Sequence, residues 1–265
     1  MKKQFAWPFL LIAVLILSSC DVFAANTADI TGTEVPAGSA RTGTIWQDNF
    51  GPGPRWQLAT DTIGCEEFPV TLDDVAFRIE GNALVMESNV RRQGGLFANA
   101  IAYRPFEWQG DGYYMLSGAF MVPDGSEVEF INAALEFVVD GVGHYAEIAY
   151  ELNPYTDRYG WTWTRTLDHV IVGALYAGTE TNKWHTFELL VYVDYSDDVF
   201  QIVSITVDDS NPVEIDVEMV EVEKPWDSST QVLIETHNMF PNCDGSIVTH
   251  GVSIWDSITI SKVNP

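Results

Sequence analysis

Residues 128–152 read VEFINAALEFVVDGVGHYAEIAYEL, in which two apolar-rich segments flank the pair Asp140-Gly141. In an extended chain successive side chains point to opposite faces. The first segment, 128–139, is apolar on nearly both faces, as expected of a strand in the centre of a sheet. The second, 144–152, alternates, so that its polar face carries Glu147, Ala149 and Glu151. The stretch therefore predicts two strands joined by an Asp-Gly turn.

The same period of two continues from Thr44 to the end of the chain, and no window of ten or more residues shows a 3.6-residue apolar stripe. VAFRIE and ALVMES flank Gly81-Asn82, a two-residue loop that favours a hairpin. Further strand candidates follow at short spacing: LFANAIAYR, GYYMLSGAFMV, YGWTWTRT, HVIVGALY, WHTFELLVYVDY, FQIVSITVD, TQVLIET and HGVSIWDSITI. About a dozen short strands separated by turns predict an all-β fold, a sandwich of two antiparallel sheets.

The N-terminal 43 residues are expected to lie outside this domain. Lys2 and Lys3 precede an apolar run ending at Leu17, which is the pattern of an export signal. Leu17-Ser18-Ser19-Cys20 resembles the lipobox of bacterial lipoproteins, in which the cysteine is acylated; ordinary cleavage after Ala24 is the alternative. We predict residues 1–20 as the export signal with its lipobox, 21–43 as a flexible tether and 44–265 as the folded domain. The protein is then a cell-surface or periplasmic lipoprotein, or it is secreted.

Charge and cysteine content limit the partners and the chemistry. The chain has 38 acidic and 13 basic residues, which disfavours nucleic acid and anionic membrane surfaces as partners. A membrane contact is therefore expected only through the lipid on Cys20. Cys65 and Cys243 are expected to form a disulfide, since an even pair in an exported chain is most simply bonded; two free thiols are the alternative.

Several stretches resemble the concanavalin A-like jelly rolls. They are the opening IWQDNFGPG followed by RWQ, the turn GNAL, the middle KWHTFELLVYVD with ITVDD, and the closing GVSIWDSITIS. This superfamily includes laminin-G-like lectin modules, keto-disaccharide hydrolase-like domains and family 16 glycoside hydrolases. The resemblance, over 44–263, implies a jelly-roll β-sandwich that binds glycans along a concave sheet or its rim loops. We therefore expect a polysaccharide or oligosaccharide partner.

The polar positions of 128–152 predict where that glycan binds. Asn132 and Glu136 share one parity, and Glu147 and Glu151 share one parity on the following strand. Because consecutive strands are usually neighbours, we expect these four side chains to line a solvated cleft.

The next strand candidate, YGWTWTRT, carries an aromatic stripe of Tyr159, Trp161 and Trp163. Aromatic rings beside carboxylates and an amide suit sugar rings, which present flat C–H faces and hydroxyl edges. We expect the stripe to border the cleft as a sugar platform; packing in the core is the alternative, since parity does not decide which face is exposed.

Catalysis is an alternative to binding. Glu147-Ile148-Ala149-Tyr150-Glu151 resembles the E-I-D-x-E strand of family 16 glycoside hydrolases, in which the two Glu residues are nucleophile and acid/base. Ala149 replaces the assisting Asp of that motif. We therefore favour a binding module without activity, and keep glycoside hydrolysis by Glu147 and Glu151, or a structural or adhesion domain without a glycan ligand, as the alternatives.

Two acids predict a structural metal. Asp48 shares parity with Trp46 and Phe50, and Asp256 lies in line with an apolar face near the C-terminus. A buried carboxylate is costly unless it is paired or coordinated. The resemblance implies that the first and last strands lie side by side and hold one Ca²⁺ there. Solvent access at a strand end, or pairing with a base such as Arg55 or Lys262, is the alternative.

Overall fold

The structure is a computed structural model of the 265-residue chain, and it describes residues 43–50, 56–63, 75–90, 97–153, 158–164, 171–175, 180–208, 210–222, 228–239 and 249–264. The predicted signal, the tether up to residue 42, Cys20, Cys65 and Cys243 lie outside the described residues. The lipid anchor and the disulfide therefore stay predictions. The described residues contain strands, turns and bends but no helix. Accordingly, none of them forms a helix that could cross a membrane.

The strands form two sheets. The first sheet contains β1 (Thr44–Asp48), β3 (Val75–Glu80), β4 (Ala83–Val90), β6 (Gly112–Met121), β11 (Trp184–Asp194), β12 (Val199–Val207), β13 (Val213–Glu218) and β16 (Thr249–Val263). The second sheet contains β2 (Gln57–Ile63), β5 (Phe97–Pro105), β7 (Val128–Val139), β8 (Val142–Asn153), β9 (Arg158–Thr164), β10 (Ile171–Leu175), β14 (Val220–Val222) and β15 (Gln231–Met239).

All strand pairs in both sheets are antiparallel. The first sheet runs β13-β12-β11-β6-β16-β4-β3, and β1 pairs with β16. The second runs β10-β9-β8-β7-β15-β5-β2, and β14 pairs with β8. The predicted all-β sandwich of two antiparallel sheets is therefore confirmed, and the first and last strands lie side by side as expected.

The hairpin that opened the sequence analysis lies at the centre of the second sheet. In the register of β7 and β8, Val139 pairs with Val142 around the turn. Asp140 and Gly141 both have positive φ, 49° and 85°, which is the backbone of a turn matched to the right-handed twist of the strands. Asp tolerates this region better than most residues and Gly adopts it freely, which explains the Asp-Gly pair.

The core lies between the two sheets. On β11 burial alternates strictly along the strand, so its inward face carries Phe187, Leu189, Val191 and Val193, as the pattern predicts. β6 and β7 are each flanked by strands on both sides, and β7 is buried on both of its faces over its first ten residues. The face of the second sheet that points away from the core is therefore also covered, and this face contains the predicted site.

Candidate functional site

The register of three neighbouring strands brings eight polar side chains to one face of the second sheet. Residues paired across antiparallel strands share a face. Ala134 pairs with Glu147 and with Leu233, and Asn132 pairs with Glu235. The inward-pointing set, which includes Ile148 and Ile234, belongs to the core. We call the outward-facing set the polar face: Asn132, Glu136, Tyr145, Glu147, Glu151, Gln231, Glu235 and His237.

The four predicted cleft residues, Asn132, Glu136, Glu147 and Glu151, all belong to the polar face. Their placement on one face agrees with the sequence prediction, but their solvation does not. None of the four is more than 8% exposed. One reason is that an apolar cluster shares this face, where Val222 of β14 packs with Ile101, Ala134, Tyr145 and Leu233. The prediction that these four side chains line a solvated cleft was therefore wrong for this structure.

Amide and carboxylate side chains pair within the polar face. Asn132 Nδ2 donates to Glu147 Oε2 (2.8 Å), and Gln231 Nε2 donates to Glu136 Oε2 (2.6 Å). The Tyr145 hydroxyl also donates to Glu147 Oε2, at 2.9 Å. Each of these carboxylates thus accepts hydrogen bonds from neutral donors. A hydrogen bond to a carboxylate is stronger than one between two neutral groups.

Both amides leave their oxygen unpaired. Asn132 Oδ1 and Gln231 Oε1 are buried and have no hydrogen-bond partner among the described residues. Asn132 is 1% exposed and Gln231 is 0% exposed, so solvent does not satisfy these oxygens. A buried acceptor without a partner costs about 1–3 kcal/mol, so each of them needs a functional or structural reason.

Negative charge dominates the surroundings of Tyr145. Burial raises the pKa of the Tyr145 hydroxyl well above its usual value, and the carboxylates of Glu147, Glu235 and Glu136 raise it further. The phenol therefore stays protonated at neutral pH and acts as a donor to Glu147. The influence of carboxylates from three strands on one hydroxyl shows that they act on a common region of this face.

The strand β15 contributes polar groups that the sequence analysis did not assign to the site. His237 Nε2 lies 2.9 Å from Glu235 Oε2, and the ring of Phe130 stacks on the imidazole with a centroid distance of 3.8 Å. Gln231 lies on the same strand. The signal for these residues was present, because QVLIETHNM alternates in the same way as HYAEIAYEL and places Gln231, Glu235 and His237 on one parity.

Trp161 corrects the predicted sugar platform. Its side chain is 2% exposed and packs in the core, 5.3 Å from the Phe120 ring and 5.2 Å from the Tyr150 ring. The core alternative therefore holds for Trp161, because aromatic partners from both sheets enclose it. The side chains of Tyr159 and Trp163 lie outside the described residues, and the register pairs these positions with Leu152 and Ile148.

Partly exposed aromatic rings lie instead on the outer face of the first sheet and in the turn that follows β11. Tyr113 and Tyr192 pair across β6 and β11 with a centroid distance of 4.8 Å, and both are partly buried. Tyr195 is 42% exposed and meets the Trp108 ring edge to face at 5.8 Å. The Tyr113–Tyr192 pair is separated from the polar face by the whole sandwich, whereas the Tyr195 hydroxyl donates to Asp140 in the β7–β8 turn, at 2.7 Å.

The predicted metal residues make other contacts. Asp48 Oδ2 pairs with Arg104 Nη1 at 2.7 Å, and Asp48 Oδ1 accepts a hydrogen bond from the Phe50 amide at 2.8 Å. Arg104 also lies over the Trp46 ring, 4.1 Å from its centroid. Burial raises the pKa of the Asp256 carboxyl, and Ser257 opposes this by hydrogen bonding.

The described residues thus show an ion pair at Asp48. They also contain no cluster of three His, Cys, Asp or Glu residues suited to a metal. The guanidinium of Arg104, on the other sheet, neutralises the buried acid, whereas the Lys262 ammonium donates to the Gln109 and Gly110 carbonyls. Arg55 lies outside the described residues. Calcium binding by the protein stays a prediction.

Comparison with known proteins supports the fold and nothing finer. No protein family and no curated protein sequence matches the chain. Similar solved structures include Rv0315, an immunostimulatory antigen and pseudo β-1,3-glucanase of Mycobacterium tuberculosis, with 16% identity, a TM-score of 0.51, and coverage of 84% of this chain and 100% of that chain. They also include alginate lyase Aly36B (9% identity, 77% and 98% coverage, TM-score 0.43) and winged bean acidic lectin (10%, 83% and 98%, TM-score 0.42). The similarity to Rv0315 supports the sandwich fold alone.

Proposed function

We propose that this protein is an exported carbohydrate-binding jelly roll, anchored to the cell surface or the periplasmic membrane by a lipid on Cys20. Its polar face binds an extracellular polysaccharide or oligosaccharide. The observation that carries this proposal is the set of amide, carboxylate, phenol and imidazole groups on a sheet face that the core does not use.

Stability alone is a poor reason to keep such a face. Buried polar and charged groups are costly, and well-packed apolar residues of similar volume are often equally stable or more stable. Sugars, in contrast, need several donors and acceptors at fixed positions. Rv0315, which shares this fold, is described as a pseudo β-1,3-glucanase, and this description agrees with a glycan ligand and makes a β-1,3-glucan a reasonable first probe.

Glycan contact requires that the polar face become accessible. The side chains of Glu147 and Asn132 are each 1% exposed in the structure, so the proposal includes an opening of this face on binding. Hydrogen exchange of the backbone amides of β7 and β8, measured with and without ligand, detects that opening.

Binding to a panel of soluble polysaccharides tests the proposal, with the protein purified from the exported fraction. Glu147→Gln removes a charged acceptor without emptying space, and it should weaken binding by about 1.5–3 kcal/mol, the scale of a hydrogen bond to a charged group. The matched control is Glu188→Gln, which changes a carboxylate on the outer face of the first sheet. Absence of binding to every polysaccharide, or equal weakening in both variants, would contradict the proposal.

A second candidate function is glycoside hydrolysis by Glu147 and Glu151, because both carboxylates lie on the polar face. Retaining hydrolysis needs two carboxyl groups about 5–5.5 Å apart. Cα atoms four residues apart on a strand are separated by about 13 Å, so the two side chains would have to lean towards each other. This function predicts release of reducing ends that Glu147→Gln abolishes while binding persists.

The untested parts of the proposal have direct assays. Cys20→Ser should release the protein from the membrane fraction and abolish incorporation of labelled fatty acid; unchanged partitioning would contradict the anchor. Mass spectrometry of the exported protein should find Cys65 and Cys243 disulfide-bonded and not free. A melting temperature that falls on addition of a chelator would support a structural Ca²⁺, and an unchanged one would contradict it.

A further inference from the structure

We propose that the polar face selects uncharged glycans, which donate hydroxyl hydrogens, over anionic uronic-acid polysaccharides. This inference rests on the proposed function and names the ligand class of the same face.

The first observation is that two hydrogen-bond acceptor atoms of this face have no donor among the described residues. Asn132 and Gln231 each commit an N–H group to a carboxylate, at 2.8 Å and 2.6 Å. Their amide oxygens are buried and have no partner among the described residues. A ligand that binds here restores the lost hydrogen bonds only if it supplies donors.

The second observation is where these oxygens lie. Asn132 pairs in register with Glu235 on one side and with Ala149 on the other, and Glu147 accepts its N–H. Gln231 pairs with Glu136 in the same way. Each unpaired oxygen therefore lies beside at least one carboxylate on neighbouring strands.

The third observation is electrostatic. Glu136 of β7, Glu147 of β8 and Glu235 of β15 lie on this one face of three neighbouring strands, and all three carboxylates raise the pKa of the buried Tyr145 hydroxyl. In such a buried region a carboxylate of the ligand would face like charges at low dielectric, which is strongly unfavourable.

The chemistry of the ligand follows from these three observations. A neutral sugar brings several hydroxyl groups, each able to donate to an amide or carboxylate oxygen while accepting from another group. A uronic acid replaces one of these hydroxyl-bearing carbons by a carboxylate that only accepts and that carries a repelled charge. The face therefore distinguishes neutral sugars from uronic acids in two ways: neutral sugars donate to its unpaired amide oxygens, and the uronate charge is repelled.

Calorimetric titration at fixed ionic strength tests the inference with four probes: β-1,3-glucan and galactan oligosaccharides, and alginate and polygalacturonate oligosaccharides of similar length. We expect a neutral oligosaccharide to bind about tenfold or more tightly than either uronate. Gln231→Met keeps the side-chain length and removes the amide oxygen, so it should weaken neutral binding about three- to tenfold, the range of one hydrogen bond. The matched control, Gln201→Met on the outer face of the first sheet, should leave the affinity unchanged.

Several outcomes distinguish the inference from the function on which it rests. Equal or tighter binding of either uronate would overturn the inference while leaving glycan binding intact. Binding of none of the probes would contradict the proposed function and this inference with it. Glu136→Gln gives an independent measurement, because removing one negative charge should reduce the difference in affinity between neutral and uronate oligosaccharides. An unchanged difference, with the melting temperature preserved, would overturn the electrostatic part.

Discussion

Substitution of Trp161 by alanine is expected to destabilise the protein strongly and to do so through packing. The indole is 2% exposed, and it lies between Tyr150 of its own sheet and Phe120 of the opposite sheet, with Phe187 at 6.4 Å. Trp161→Ala therefore empties a large volume in the middle of the sandwich.

The magnitude follows from comparable core truncations. Phe or Trp to Ala in a core typically costs about 3–5 kcal/mol, and the edge-to-face contacts with Tyr150 and Phe120 put Trp161 in the upper part of that range. For a domain of about 150–250 residues, 1 kcal/mol corresponds to about 2–4 °C, so the melting temperature should fall by about 8–16 °C for a loss of ~4 kcal/mol.

Equilibrium unfolding in urea, followed by far-UV circular dichroism because the substitution alters fluorescence, measures this loss. Tyr192→Ala is the control, since it removes an aromatic ring from the outer face of the first sheet. A Trp161→Ala protein that loses less than about 1 kcal/mol but no longer binds glycan would refute the core assignment.

Three further predictions concern pH, an ion pair and a turn. Burial lowers the pKa of His144, which stacks on Phe200 at 3.5 Å, although Glu221 and Asp198 act in the opposite direction. The unfolded chain therefore takes up the proton at a higher pH than the folded protein, so the free energy of unfolding should fall as the pH drops below ~6.5 towards the folded pKa. His144→Phe should reduce this fall in urea titrations at several pH values. Asp48→Ala leaves the Arg104 guanidinium without its buried partner and should cost about 3–5 kcal/mol in thermal unfolding; a cost near zero would contradict the pairing. Gly141→Ala meets no atom within 4 Å, so its cost of about 1–2 kcal/mol should come from positive φ alone, and a neutral effect would contradict the turn geometry.

Local pattern was sufficient for most strands and for the grouping of side chains on a face. Alternation along 144–152 and 128–139 placed Asn132, Glu136, Glu147 and Glu151 together because side-chain direction in a strand depends only on parity. Edge strands carried a weaker signal. β2, β13 and β14 escaped prediction. In β13 exposed and half-buried residues alternate with little apolar contrast, and β14 is only three residues long.

Contacts between distant segments could not be predicted in this way. Parity could not decide whether Trp161 faces the core, because Phe120 and Phe187, which enclose it, come from the other sheet. One contributor to the burial of the polar face, Val222, lies far along the chain from Tyr145, with which it packs. The partner of Asp48 is 56 residues away, so neither local charge nor spacing pointed to Arg104.

Nuclear magnetic resonance of the side-chain amides tests the central claim that the polar face contacts a glycan. A β-1,3-glucan oligosaccharide, or whichever polysaccharide of the panel binds most tightly, is titrated into labelled protein, and the NH₂ signals of Asn132 and Gln231 are assigned by their loss in Asn132→Leu and Gln231→Met. The account predicts that both signals shift on binding while that of Gln201, on the outer face of the first sheet, does not. Shifts at Gln201 with none at Asn132 and Gln231 would contradict it.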